Sequence, residues 1–158
     1  MKLFIQRHAK TDQYSESGKD FDRKLLAKGI NQAMELGTYY EQNHVDPGHV
    51  FCSTSARTRQ TAALIQKNQL FSNKIEFLDT IYLCEKDELL TLLWSLQDQE
   101  SVLFIGHNNG ISDLASYFLD EFVELRTGEF IQIDFELDAW NETSKGLGVV
   151  KNRFRPEV

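Results

Sequence analysis

The sequence predicts an α/β fold, a mostly parallel central sheet with helices on both faces. Three observations carry that reading. Short apolar segments alternate with segments of helical spacing along most of the chain. Ser101 to Ile105 is a continuous apolar run, as in a central strand covered on both faces. Near the C-terminus two strand-like segments follow each other, which suits an antiparallel hairpin.

Taken in order, Lys2 to Gln6 is a short apolar strand, and the polar stretch from Lys10 to Arg23 is a loop. Leu25 to Asn43 has helical spacing through Leu26, Ile30, Ala33, Met34, Gly37 and Tyr40. Asp46-Pro47-Gly48 is a turn, and His49 to Cys52 is a second strand. Ala56 to Asn68 reads as a helix with Thr61, Ala62 and Ile65 on one side. Ile75 to Leu78 is a third strand, and Asp87 to Leu96 is a leucine-rich helix. The central strand follows, then a helix from Gly110 to Leu119. Phe130 to Leu137 alternates Phe130, Ile131, Ile133, Phe135 and Leu137 with Gln132, Asp134 and Glu136. Gly148 to Phe154 is the last strand, paired with the one before it.

A chain of 158 residues suits one domain, 1–158, around a single core. Its composition is that of an ordinary globular protein, and no apolar run approaches the ~20 residues of a membrane helix. Met1 to Ile5 is too short an apolar stretch for a secretory signal, so a cytoplasmic location is expected. Two cysteines, Cys52 and Cys84, imply no disulfide framework and read as small buried hydrophobes. The net charge of −7 argues against a nucleic-acid surface. Residues 98–142 hold eleven acidic residues and one basic residue, Arg126, whereas residues 1–97 hold twelve of each sign. A phosphate site would therefore draw on the arginines of the N-terminal part.

Ligands of parallel sheets bind beyond the carboxyl ends of the strands. The first strand ends at Arg7-His8, the second at Ser53 shortly before Arg57, and the central strand at Gly106-His107-Asn108. Two histidines and two arginines thus share one kind of position. A neutral histidine can attack phosphorus through a free ring nitrogen if its other nitrogen is tied to an acceptor. Phosphoryl transfer then needs positioning and charge on the equatorial oxygens, which Arg7, Arg57 and His107 can supply. Nearby arginines should also lower the pKa of His8. Lys10, Arg23, Lys24 and Lys28 can add positive potential at the mouth or simply be solvated, and His44 and His49 read as surface residues.

The motifs resemble a known family. Ile5-Gln6-Arg7-His8-Ala9-Lys10-Thr11 resembles the Arg-His-Gly signature of the histidine phosphatase superfamily, the phosphoglycerate-mutase-like group. Asp20-Phe21-Asp22-Arg23-Lys24-Leu25 is similar to a segment of its short SixA-type phosphohistidine phosphatase branch. Ser53 to Ala62 and Gly106 to Ser112 resemble its two later motifs, so the resemblance spans essentially the whole chain. It implies a three-layer α/β/α sandwich with a mostly parallel sheet and a C-terminal antiparallel hairpin. His8 becomes the transient phosphohistidine, Arg7, Arg57 and His107 form the phosphate pocket, and Thr11 matches a hydroxyl position that contacts phosphate. No metal or other cofactor is implied.

Departures from the pattern bear on the substrate. Lys24, Thr54 and Asn109 replace prolines, which alters loop stiffness. Tyr14 stands where many larger relatives carry a phosphate-binding Asn. Leu83 falls where the superfamily commonly places its acid, with Asp79 and Glu85 as nearby candidates. An alkoxide needs a proton to leave, whereas an imidazole, with a pKa of about 6.5, leaves far more easily. The expectation is therefore a phosphohistidine phosphatase acting on a phosphohistidine-bearing protein, with no nucleic-acid or membrane partner. A phosphatase for small sugar or nucleotide phosphoesters is the alternative enzyme, and a non-catalytic phospho-binding module is the alternative of another class. A mutase is disfavoured, since holding an intermediate usually requires a lid.

Overall fold

A computed structural model describes residues 1–67 and 71–157. The strands are β1 (Lys2–Arg7), β2 (His49–Ser53), β3 (Ile75–Leu78), β4 (Ser101–Gly106), β5 (Phe130–Asp134) and β6 (Val149–Phe154). The helices are α1 (Ala27–Gln42), α2 (Ala56–Ile65), α3 (Lys86–Ser95) and α4 (Gly110–Leu119), with short 3-10 turns at Asp20–Asp22, Asp79–Ile81 and Trp140–Glu142. The strands form one sheet in the order β3-β2-β4-β1-β5-β6. β1, β2, β3 and β4 are mutually parallel where they pair, and β5 and β6 run antiparallel at the far edge.

Alternation along β1, β2, β4 and β5 splits the core into two layers. Leu3, Ile5, Phe51, Val102, Phe104, Ile131 and Ile133 face one side, where Leu89 and Leu93 of α3 and Leu114 and Phe118 of α4 cover them. Phe4, Val50, Cys52, Leu103, Ile105 and Phe130 face the other, under Leu36 and Tyr40 of α1 and Ala62 and Ile65 of α2. The result is the three-layer α/β/α sandwich with its C-terminal hairpin. Buried apolar residues on both faces of β4 explain its continuous apolar run.

Three boundaries differ from the sequence reading by more than one residue. Leu25 is not helical but bridges Thr11, and α1 begins at Ala27. β5 ends at Asp134, and the next residue continues the pairing with β1 only as far as Met1, where the Phe135 amide donates to the Met1 carbonyl and the terminal amine donates to the Phe135 carbonyl. α2 ends at Ile65, while Asn68, the expected helix end, lies outside the described residues.

The buried face of α1 also departs from the large apolar residues. Gly29, Gln32, Ala33, Leu36, Gly37 and Tyr40 are buried, whereas Leu26, Ile30 and Met34 are exposed. Close backbone approach selects that face. A Cβ on Gly29 would stand 2.0 Å from the Lys10 carbonyl oxygen, and one on Gly37 would stand 3.1 Å from that of Ile65. Gln32 belongs there because its Oε1 accepts from the Lys10 amide at 2.9 Å. No helix among the described residues is long and apolar enough to cross a membrane.

Candidate active site

β1, β4 and β2 lie side by side, with β4 between the other two. Arg7 pairs with Gly106, so Arg7-His8 and His107 leave the sheet at the same level. Ser53 ends β2 beside them, and α2 starts three residues later. Ser55 caps that helix by accepting from the Thr58 amide, which holds Arg57 in the first turn. Strand order and one helix cap therefore assemble Arg7, His8, Arg57 and His107.

The His8 side chain is buried, and its Nδ1 lies 2.8 Å from the Ala9 carbonyl oxygen. A carbonyl only accepts, so Nδ1 carries the proton and donates, leaving Nε2 with its lone pair. Burial drives the His8 pKa down to about 3 despite the Ala9 bond, and the charges of Arg57, Arg7 and Arg23 push the same way. The arginine effect expected from the sequence is present, but desolvation is the larger cause.

The His107 ring lies 5.4 Å from that of His8, centre to centre. Its Nε2 is 2.7 Å from Ser53 Oγ, and its Nδ1 is buried with no hydrogen-bond partner. Burial, then Arg57 and His8, lower its pKa to about 3 as well. When the Ser53 hydroxyl donates to Nε2, Nδ1 carries the proton of the neutral ring and is free to bind an anion.

Both guanidiniums are half-committed. Arg57, 2% exposed, donates from Nη1 to the Asp20 carbonyl at 2.8 Å and from Nη2 to Asp20 Oδ2 at 2.9 Å. Arg7 donates from Nη1 to the Leu125 carbonyl at 2.9 Å. Nε of each is buried without a partner. Burial also lowers the Arg7 pKa, the direction expected for a cation withdrawn from water. Two cations, a neutral imidazole with a free lone pair and an orphaned ring nitrogen thus meet in one cleft, a constellation that fits a tetrahedral oxyanion.

The other expected residues are placed around it. Thr11 is buried in its bridge to Leu25. Asp79 accepts from Thr54 Oγ1 at 2.5 Å, and Glu85 is exposed just ahead of α3. Leu83 is exposed with a positive φ of 50°, and Tyr14 is 78% exposed. Arg23 lies 3.1 Å from Asp20 Oδ1, while Lys10, Lys24 and Lys28 are exposed. Burial pushes the Cys52 thiol up to about 12, and Cys84, half-buried, to about 11 for the same first reason.

Three residues in the cleft escaped the sequence reading. Asp20 ties Arg57, and its Oδ2 also accepts from the Tyr82 hydroxyl at 2.5 Å. Tyr82 meets the His107 ring edge-on at 5.4 Å, and Ser53 holds the far side of that ring. Asp20 and Ser53 sit within the family-like segments, which was the available signal. Tyr82 carried none beyond its place ahead of Leu83.

Fold and cleft define a phosphoryl-handling α/β/α protein with an imidazole among arginines. Residues 3–80 match the model of the histidine phosphatase superfamily (branch 1), a segment that contains Arg7, His8, Asp20 and Arg57. That match covers just under half of the chain and, with the phosphatase folds described next, supports a phosphatase of the histidine phosphatase superfamily. No curated protein matches its sequence. Its fold is similar to that of a protein from Agrobacterium tumefaciens named as the phosphohistidine phosphatase SixA, with a TM-score of 0.85, 21% identity, and 98% and 97% of the two chains covered. A Nakamurella multipartitia protein of the same name gives a TM-score of 0.85 at 24% identity, covering 99% and 96%. The protein histidine phosphatase SixA complexed with tungstate gives 0.81 at 18%, covering 98% and 97%.

Proposed function

We propose that this protein is a phosphohistidine phosphatase, passing a phosphoryl group from a partner protein's histidine to His8 and then to water. The observation that carries the reading is the neutral His8 ring, its Nδ1–H spent on the Ala9 carbonyl and its Nε2 left as a nucleophile among cations. Arg7, Arg57 and His107 then hold the phosphoryl oxygens through donors that the protein itself leaves unsatisfied. Thr11 is the nearest hydroxyl on the His8 segment and is assigned a supporting phosphate contact.

Leaving-group chemistry favours histidine as the donor. Leu83 falls at the position where the superfamily commonly places its acid, Asp79 is tied to Thr54, and Glu85 is exposed just ahead of α3. An imidazole can depart without the strong acid that an alkoxide requires. The tungstate-bound neighbour named for this activity is consistent with an oxyanion at the same kind of site.

The test is a substrate comparison with a variant control. A phosphohistidine protein is expected to be turned over faster than a panel of sugar and nucleotide phosphoesters, with acid-labile 32P appearing on wild type and not on His8→Ala. Faster ester hydrolysis that is abolished by Glu85→Gln would favour the small-phosphoester reading. Phosphate binding without turnover in wild type would make the protein a binding module.

A further inference from the structure

The cleft contains a carboxylate that the reading above does not use. Asp20 lies on the 3-10 turn Asp20–Asp22, which packs against α2. Its side chain is 45% exposed, against 2% for its partner Arg57, so it stands at the mouth while the histidines lie at the floor. It shares Arg57 with any bound phosphoryl group, because the two donors on Asp20 belong to the same guanidinium whose Nε is unpartnered. The Tyr82 hydroxyl holds the same oxygen, and the Tyr82 ring spans from Arg57, 5.8 Å away, to His107. Asp20 is also the carboxylate whose charge bears on His107.

A nucleophile at the floor accepts the phosphoryl group from the mouth side, and the water that later removes it arrives from the mouth side too. We propose that Asp20 is the general base of the hydrolytic half-reaction, taking the proton of the water that attacks phospho-His8. The inference rests on His8 being the nucleophile. In the step, a P–O bond forms from water as the P–Nε2 bond of His8 breaks, and its electron pair returns to Nε2. The water proton passes to the Asp20 carboxylate and then to solvent, so the products are inorganic phosphate and neutral His8. A carboxylate offers about four lone-pair sites. Arg57 and Tyr82 engage Oδ2, and Arg23 Nε stands 3.1 Å from Oδ1 without a hydrogen bond, so Oδ1 keeps its lone pairs for water.

The charged state of Asp20 suits a base. Partial burial pushes its carboxyl up, but the Tyr82 hydroxyl, Arg57 and Arg23 outweigh that and hold it below the ordinary carboxylate range. It is therefore ionised at neutral pH. The groups facing it are Arg57 from α2, Tyr82 from the segment after the 3-10 turn at Asp79–Ile81, Arg23 from its own loop, and neutral His107 from the end of β4.

Rapid-quench kinetics with 32P-phosphorylated polyhistidine separate the two halves of the reaction. In Asp20→Asn, labelling of His8 is expected to stay within a few-fold of wild type, while hydrolysis slows roughly 10²-fold or more and labelled enzyme accumulates. Tyr82→Phe removes a bond that favours the ionised carboxylate, so the low-pH limb of the hydrolysis rate should move to higher pH. Unchanged hydrolysis in Asp20→Asn overturns the proposal. So does an equal fall in labelling and hydrolysis, which makes Asp20 a clamp on Arg57 alone. If Asp20→Asn does not fold, an unmoved pH limb in Tyr82→Phe overturns it instead. If wild type takes no label from polyhistidine or p-nitrophenyl phosphate, the nucleophile assignment itself fails, a result distinct from the others.

Discussion

The two ends of the parallel strands treat buried polar groups in opposite ways. At the N-terminal end, Trp140 Nε1 donates to the Gln99 carbonyl, Trp94 Nε1 to Thr143 Oγ1, and Thr143 Oγ1 to the Trp140 carbonyl. The terminal amine donates to the Phe135 carbonyl. None of these side-chain atoms is left without a partner. At the C-terminal end, Arg7 Nε, Arg57 Nε and His107 Nδ1 are buried and orphaned. Each orphan costs about 1–3 kcal/mol, so the chain gives up stability there that it keeps at the other end. Shape does not separate the two ends, since one surface depression of about 590 Å³ lies beside Trp94 and Trp140 and another of about 650 Å³ lies beside Tyr14 and Leu25. Unsatisfied donors around a free lone pair mark the working end better than concavity does.

Substitution at each end should break the comparison if it is wrong. His8→Ala is expected to lower turnover on the order of 10⁴-fold or more, as removal of a nucleophile does, with little loss of stability. Trp140→Ala should lower stability by roughly 3–5 kcal/mol, because Trp140 is 1% exposed, yet preserve turnover while the protein is folded. Urea melts and initial rates on the two variants check both halves. A Trp140→Ala enzyme slowed as much as His8→Ala would erase the contrast.

Arg57→Lys sharpens the contrast at its centre. A lysine keeps the charge but offers no planar fork and cannot hold the Asp20 carbonyl and carboxylate together. The expected fall in kcat/KM is roughly 10²–10³-fold. A variant within a few-fold of wild type would mean that charge alone, without geometry, serves the site.

The legible part of this molecule is what strands report about themselves. The apolar run of β4 and the alternation of strand with helix along the chain placed the sheet, and its strand ends placed Arg7, His8, Arg57 and His107 together. The face of α1 was not legible from its large residues, because Gly29 and Gly37 select it by backbone contact and Gln32 by a hydrogen bond. Asp20, Ser53 and Tyr82 were not legible as a group for a related reason. Asp20 and Tyr82 lie 62 residues apart, and Ser53 and His107 lie 54 apart. Only the packing of the 3-10 turn and the β2-β4 pairing brings them into contact. Periodicity carries information about which side of an element is buried, and none about which polar atoms meet across the cleft.

The smallest expected effect is a pH dependence that belongs to the working end alone. The unfolded imidazoles of His8 and His107 take up protons below about pH 6.5. In the folded protein both rings stay neutral down to about pH 3. Between those values the unfolded state binds more protons, so stability is fully present above about 6.5 and is lost as pH falls. The slope is about 1.4 kcal/mol per pH unit for each histidine. His8→Asn or His107→Asn should each remove one such contribution, read as a shallower decline of urea-unfolding free energy between pH 6 and 4.5. Trp140→Phe, at the end where the buried tryptophan and threonine side chains are paired, should shift the whole curve without changing its slope. Equal slopes in wild type and both histidine variants would show that the rings are not held neutral by burial, and the lone pair on which the nucleophile depends would lose its support.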